Sequence, residues 1–350
     1  MSIQVPGRRG LALAAVVTAA VLAGCAQEAP PSAPAPPPAA PVPSVSLSQK
    51  LLEQASAYRA YVDRAAQISP AFTDGAAVAQ GLRVGESYQP DQLLRGAIAY
   101  GAVVALQDPG FREGVRTYAK DPDQRRQVAY EIMKDPAYTI GFSGSAGAAG
   151  LVVNAFTEDG RKLFDDGKAV KQAAYDVQHF AWSKAEVPGR DARLAMAKQL
   201  SSMPLEGSTD ITAKMQQAVT GAEPLTLAAN SAAPPYTPLV VRSVAVAALA
   251  ALGYADDSSL EQVMPLTAEP HSAQCLNMSK LNLYQCLAVA KPHYEDVFCL
   301  GQHVLKDTGA CLLRGAGAAD PDPPVFDTPR ITQVSTTPTT KRPHHRKKPD

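Results

Sequence analysis

Residues 239–252 read Leu-Val-Val-Arg-Ser-Val-Ala-Val-Ala-Ala-Leu-Ala-Ala-Leu. This is the most apolar run after the first 25 positions. A membrane-spanning helix needs about 20 such residues. Here there are about 14, with Arg242 among them, so the run reads as the central core helix of a globular body. The composition agrees. Alanine is abundant, aromatics make up 6% of the chain, and runs of β-branched residues are short. That mixture favours packed helices over sheets. The expected fold class is all-α: a multi-helix globular body flanked by two disordered tails. Between the tails lie roughly 270 residues, enough for one large core or two smaller ones.

Upstream of this run, helices follow one another. Leu51, Leu52, Ala55, Tyr58, Val62 and Ala65 recur at spacings of three and four, the period of one helix face. Ser46 and Gln49 have capping-box spacing before them. Residues 92–107 form a second helix, apolar on most sides and so expected to be buried. Asp108-Pro109, Asp121-Pro122 and Asp135-Pro136 then recur about every 13 residues. Asp is a good N-cap and Pro is favoured at the first helical position, so each pair should restart a short helix. Helices are expected around 169–182, 191–201 and 210–219, then a loop over 223–238. Ser258 and Glu261 have capping-box spacing before another short helix.

The N-terminus reads as an address. Arg8 and Arg9 precede an apolar stretch, Leu11 to Leu22, and then Leu22-Ala23-Gly24-Cys25. The order is that of a secretory signal. Leu-Ala-Gly-Cys resembles the lipobox of bacterial lipoprotein precursors. That resemblance implies cleavage of residues 1–24 and acylation of Cys25. Ala26 rather than Asp follows, which in Gram-negative relatives implies the outer membrane, facing the periplasm. Arg8-Arg9 also resembles, in part, a twin-arginine signal. Residues 25–45 then hold eight prolines. Such a spacer prefers an extended form of about 3.1 Å per residue, so it could hold the body up to roughly 60 Å from a membrane.

Export bears on the cysteines. With Cys25 acylated, Cys275, Cys286, Cys299 and Cys311 remain, and an even number in an exported protein reads as disulfides. Pro292 divides two helical stretches, 272–290 and 294–313. Folded as a hairpin, they place Cys286 and Cys299 about 9 and 10 Å from the turn, and Cys275 and Cys311 about 26 and 28 Å. Heights match for Cys286–Cys299 and Cys275–Cys311, which are the expected bridges. Facing matches less well. Eleven residues return to about the same face, but the twelve from Cys299 to Cys311 overshoot by about 120°, and Gly309 is expected to loosen the last turn. The layout resembles the twin-Cys hairpins of intermembrane-space proteins, but those have shorter, equal spacings and no kinship follows. The expected organisation is a signal over 1–24, an anchored linker over 25–45, a helical domain over 46–316 with the Cys-linked hairpin at 272–314, and a tail over 317–350.

Charge excludes one class of function. The chain carries 33 basic and 33 acidic residues. Setting aside the signal and the last ten positions leaves 26 basic and 32 acidic. A mildly acidic body is a poor nucleic-acid binder. The tail is basic at Lys341, Arg342, Arg346, Lys347 and Lys348, a candidate contact for anionic envelope components, or simply a solubilising end.

Catalytic motifs are weak. Glu86-Ser87 resembles the Glu-Ser at which lytic transglycosylases place their acid, but the family's downstream segment is not recognisable, and Glu86 reads as a loop residue. Gly141-Phe142-Ser143-Gly144-Ser145 resembles a nucleophile elbow only loosely. Ser145 stands where Gly is required and no strand precedes; His179 would be its base. A phosphate loop lacks its Gly-Lys-Ser/Thr ending. Small residues here more often let helices pack closely. Asp165-Asp166 and Asp256-Asp257 read as caps at helix ends. Cys299, His303, His271 and His293 lack the close Cys pair of structural zinc sites. No metal or cofactor is expected. The expected function is a non-catalytic, lipid-anchored envelope protein of structural or interaction type; the alternative is a periplasmic hydrolase acting on cell wall or esters through Glu86 or Ser143.

Overall fold

The computed structural model describes residues 41–228, 232–319 and 321. The signal, Cys25, most of the proline-rich spacer and the basic residues from Lys341 onward lie outside the described residues.

Among the described residues the regular structure is helical, apart from an isolated bridge between Glu186 and Pro292. The helices are α1 (Gln49–Ala65), α2 (Gly75–Glu86), α3 (Pro90–Ala105), α4 (Pro109–Arg116), α5 (Pro122–Lys134), α6 (Ser145–Asp176), α7 (Ala181–Lys184), α8 (Arg190–Leu200), α9 (Thr209–Thr220), α10 (Pro238–Leu252), α11 (Leu260–Val263), α12 (Pro270–Val289), α13 (His293–Cys299) and α14 (Asp307–Ala316). None is long and apolar enough to cross a membrane.

The apolar run is α10, and twelve of its fifteen residues are buried. It packs against α3, which is buried almost as completely, and α3 in turn packs on α1. Arg242, the one charge in the run, reaches the carbonyls of Pro265 and Leu266 at 3.4 Å. The Asp-Pro pairs act as expected. Asp108 accepts from the Phe111 N–H and Asp121 from the Gln124 N–H, each at 2.7 Å, at the starts of α4 and α5. Asp135 starts a 3₁₀ turn over Pro136–Gly141.

Two expected caps are corrected. Ser48, not Ser46, caps α1 through the Leu51 N–H at 3.2 Å. Ser46 instead donates its backbone N–H to Ala250, and Asp257 accepts the Gln49 N–H at 2.9 Å. Ser258 caps no helix and donates to Asp256, which also accepts the Ser259 N–H. Among the described residues of the spacer, the Pro43 carbonyl accepts from Arg116 at 3.0 Å.

The helix expected around 169–182 is the end of a much longer one, since α6 runs 32 residues from Ser145. Glycine is unfavourable inside a helix by about 1 kcal/mol. Here tertiary packing overrides that cost. A Cβ on Gly160 would meet the Gly309 carbonyl at 2.9 Å, and one on Gly309 would meet the Gly160 carbonyl at 2.6 Å. Gly167 and Gly301 approach in the same way, with contacts of 2.8 and 2.9 Å. Two glycine pairs thus bring α6 backbone to backbone with the C-terminal segment.

That segment closes the hairpin. Cys275–Cys311 and Cys286–Cys299 are bridged, each with its Cα atoms 5.7 Å apart. Gly309 is not what corrects the facing; it serves the contact with α6. The correction lies in residues Leu300–Lys306, which are π-helical and join α13 to α14. Each π-type bond closes over one residue more than an α-type bond, so the segment absorbs about one extra residue. Twelve residues then rotate like about eleven, and Cys311 returns to the face of Cys299.

Candidate functional site

The site is built where α2, α8, α12 and α13 meet. α2 starts at Asp74, whose carboxylate accepts the Ala77 N–H at 2.9 Å. It lies close over the π segment: a Cβ on Gly81 would meet Leu300 at 2.8 Å, and one on Gly85 would meet Val304 at 2.3 Å. This approach carries Glu86, the last residue of α2, into the interior. Glu86 was expected in a loop; it ends a helix and is 3% exposed.

The backbone and the side chain of Glu86 are in opposite situations. Its carbonyl accepts from the Tyr88 N–H at 2.7 Å and from Lys280 Nζ at 2.6 Å. Its carboxyl Oε1 is buried with no hydrogen-bond partner. Burial pushes the carboxyl up to about 8, with Lys280 and Arg193 opposing and Asp296 adding to the rise. Asp159 shows the contrast. It is also buried, but Tyr58 and Arg59 donate to its two oxygens at 2.9 and 2.7 Å, tying α1 to α6.

Lys280 of α12, which holds the Glu86 backbone carbonyl, is 4% exposed. Its Nζ also donates to Ser201 Oγ at 3.0 Å and sits 3.6 Å from the centre of the Tyr88 ring. Burial pushes the ammonium down to about 7, and Glu86 counters it. Both groups are thus driven towards their neutral forms, because a low-dielectric interior disfavours either charge.

α8 supplies the guanidinium groups. α12 ends at Val289, and its last carbonyls lack intrahelical partners. Arg190 donates to Ala290 and Ala288 at 2.8 and 3.1 Å, and Arg193 donates to Leu287. A cation here also suits the negative end of the helix dipole. Arg193 additionally pairs with Asp296 of α13, while its Nε stays buried without a partner. Burial raises Asp296 to about 6 despite that pairing.

Glu86, Arg193 and Asp296 line a cleft of about 550 Å³. Its walls are apolar, from Ala79 and Leu82 of α2, Val187 and Pro188 of the preceding loop, and Met196 of α8. Arg83 and His293 stand at the rim, and the imidazole fills the space a Cβ on Gly75 would need. Burial, then Arg193, holds His293 below the usual histidine range. Size and composition match small-molecule sites, which are concave, mostly apolar and marked by a few polar groups. A larger, polar furrow of about 800 Å³ lies between α1, α3 and α9, but no ionisable side chain buried like Glu86 lines it.

The other candidates are not brought together. Ser143 is exposed and follows a 3₁₀ turn rather than a strand. His179 is exposed, and its ring lies 4.0 Å from that of Phe180, tilted by 40°. Ser143 precedes α6 and His179 follows it, so they stand at opposite ends of a helix about 48 Å long. Gly144 beside Ser143 serves packing: a Cβ there would collide with the Phe111 backbone nitrogen. Asp165 and Asp166 lie within α6 rather than at an end, and Asp166 accepts from Lys162 at 3.1 Å. Cys299 is bridged, and His303 Nδ1 lies 2.8 Å from Asp307. Among the described residues no group of three or more metal-ligating side chains is gathered.

Sequence reasoning missed Lys280, Arg193 and Asp296. A signal existed for Lys280, which sits in the buried stripe of Leu276, Leu283 and Leu287 at helical spacing. A charge in such a stripe needs a reason. No known protein family, curated protein or solved structure matches this chain.

Proposed function

We propose that the chain is a lipid-anchored cell-envelope protein of interaction type. Cys25 carries the anchor in the outer membrane, the spacer presents the body to the periplasm, and the cleft between α2, α8 and α13 holds a ligand. The observation that carries this reading is Glu86, a buried carboxyl with an unpaired oxygen, which lines an apolar cleft. The neighbouring Asp296 is taken up by Arg193, and Arg193 by the end of α12. The two disulfides suit an oxidising compartment such as the periplasm. The basic residues Lys341, Arg342, Arg346, Lys347 and Lys348 add a second contact, with anionic envelope material.

Two measurements test this. Cys25→Ser should abolish labelling with palmitate and remove the protein from the outer-membrane fraction; retention of both would overturn the anchor. Deletion of residues 341–350 should weaken salt-sensitive binding to envelope preparations, and binding that ignores salt would remove the electrostatic contact.

A second reading is favoured by one observation. A carboxyl near 8 is protonated at neutral pH, the state a general acid needs. Glu86 would then serve a hydrolase acting on cell wall or esters. Turnover of peptidoglycan or a chromogenic ester that disappears in Glu86→Gln would establish it. No turnover by the wild-type chain would leave the binding reading.

A further inference from the structure

We infer that the cleft takes a ligand with an apolar body and a single carboxylate, whose head group is received by the Glu86 carboxyl and balanced by Arg83. The inference rests on reading the cleft as a binding site and names the ligand's chemistry.

The first argument is charge. Arg83 and Arg193 are permanently cationic. Asp296, at about 6, is mostly ionised at neutral pH and offsets one of them. His293, held below its usual range, is mostly neutral there. Glu86, at about 8, keeps its proton. Lys280 and Tyr284 approach Glu86 from α12; the first is partly charged near 7, and burial keeps the second neutral. The groups facing Glu86 therefore leave an excess of positive charge around an uncharged carboxyl. A monoanion balances that excess, whereas an ammonium would add to it.

The second argument is hydrogen bonding. A protonated carboxyl has one O–H to donate, and an acid–carboxylate hydrogen bond is among the short, strong ones. Glu86 lines the cleft, and its buried Oε1 has no protein partner, so the side chain loses no hydrogen bond at that oxygen when it turns to meet an incoming carboxylate. The third is shape. The walls from Ala79, Leu82, Val187, Pro188 and Met196 suit a hydrocarbon body, and the volume of about 550 Å³ admits one.

The full chain carrying Cys25→Ser, with both disulfides formed, is titrated calorimetrically at about pH 7 with octanoate, octylamine and octanamide. Octanoate alone should bind saturably. Binding should weaken about tenfold between about pH 7 and pH 9, as Glu86 loses its proton and repels the head group. Glu86→Gln, whose amide still donates, should bind octanoate without that pH dependence. Arg83→Ala, at an exposed position, should weaken binding several-fold, with circular dichroism confirming the fold. Equal binding of all three probes would overturn the carboxylate assignment and leave the cleft as a binding site. Stronger binding of octylamine would overturn the charge argument, and no binding of any probe would overturn the inference and the binding role of the cleft together. A pH dependence unchanged in Glu86→Gln would remove Glu86 from the head-group contact.

Discussion

Lys280→Met tests the physics beneath the cleft. Methionine keeps an unbranched stem of similar bulk and removes the charge. In the folded chain burial holds Lys280 at about 7, against an ordinary 10.5. Between those values the folded chain binds fewer protons than the unfolded one, so stability rises with pH across that window. The penalty for charging Lys280 is fully present below about pH 7 and gone above about pH 10.5, and at its full extent it is about 5 kcal/mol. Against it stand the bonds Nζ makes to Glu86 and Ser201, worth about 1–3 kcal/mol together. The substitution should therefore stabilise the protein by about 2 kcal/mol near pH 6.5 and destabilise it by about 1 kcal/mol near pH 9.5. Glu86 titrates in an overlapping range, so the comparison is made in a Glu86→Gln background. The assay is equilibrium urea unfolding with disulfides intact, followed by circular dichroism and the fluorescence of Trp182, the only tryptophan. A difference between the two proteins that stays constant within about 0.5 kcal/mol from pH 6.5 to 9.5 would refute the reasoning, because it would mean that Lys280 titrates alike in both states.

Glu86 should act with the opposite slope: its carboxyl is raised from 4.5 to about 8, so wild-type stability falls as pH rises through that window, and Glu86→Gln should flatten the profile in urea unfolding. Gly309→Ala should cost about 2–3 kcal/mol in thermal unfolding, because the added methyl meets backbone of α6 that cannot swing aside, whereas Gly141→Ala, with open space around it, should stay within about 0.5 kcal/mol. Replacing both cysteines of a bridge by serine should cost about 4 kcal/mol for Cys275–Cys311, which closes 36 residues, and about 3 kcal/mol for Cys286–Cys299, which closes 13, so the two midpoints should fall in that order. Ser143→Ala and His179→Ala, both at exposed positions, should each leave stability within about 0.5 kcal/mol.

What was legible in the chain was whatever depends on neighbours along it. Apolar spacing marks α1 and α10, and Asp-Pro pairs mark the starts of α4 and α5, because cap and first turn are only a few residues apart. The nested bridges were legible too, since a fixed rise per residue converts spacing into height along a helix. Rotation was not. The π turn at Leu300–Lys306 that brings Cys311 round to its partner lies where glycine pairs press this segment onto α6, from positions more than 130 residues earlier. α2 was missed for the same reason: Gly75, Gly81 and Gly85 lower its helix propensity, and only the segment packed beneath it shows why they are there. The cleft was the least legible part. Glu86, Arg193, Lys280 and Asp296 lie on four different helices, and only Lys280, set in its leucine stripe, stands out within its own stretch. Periodicity shows which face of a helix is apolar, but not which helix will meet it. Only the meeting of the four excludes water, and the exclusion of water pushes the Glu86 carboxyl up and the Lys280 ammonium down.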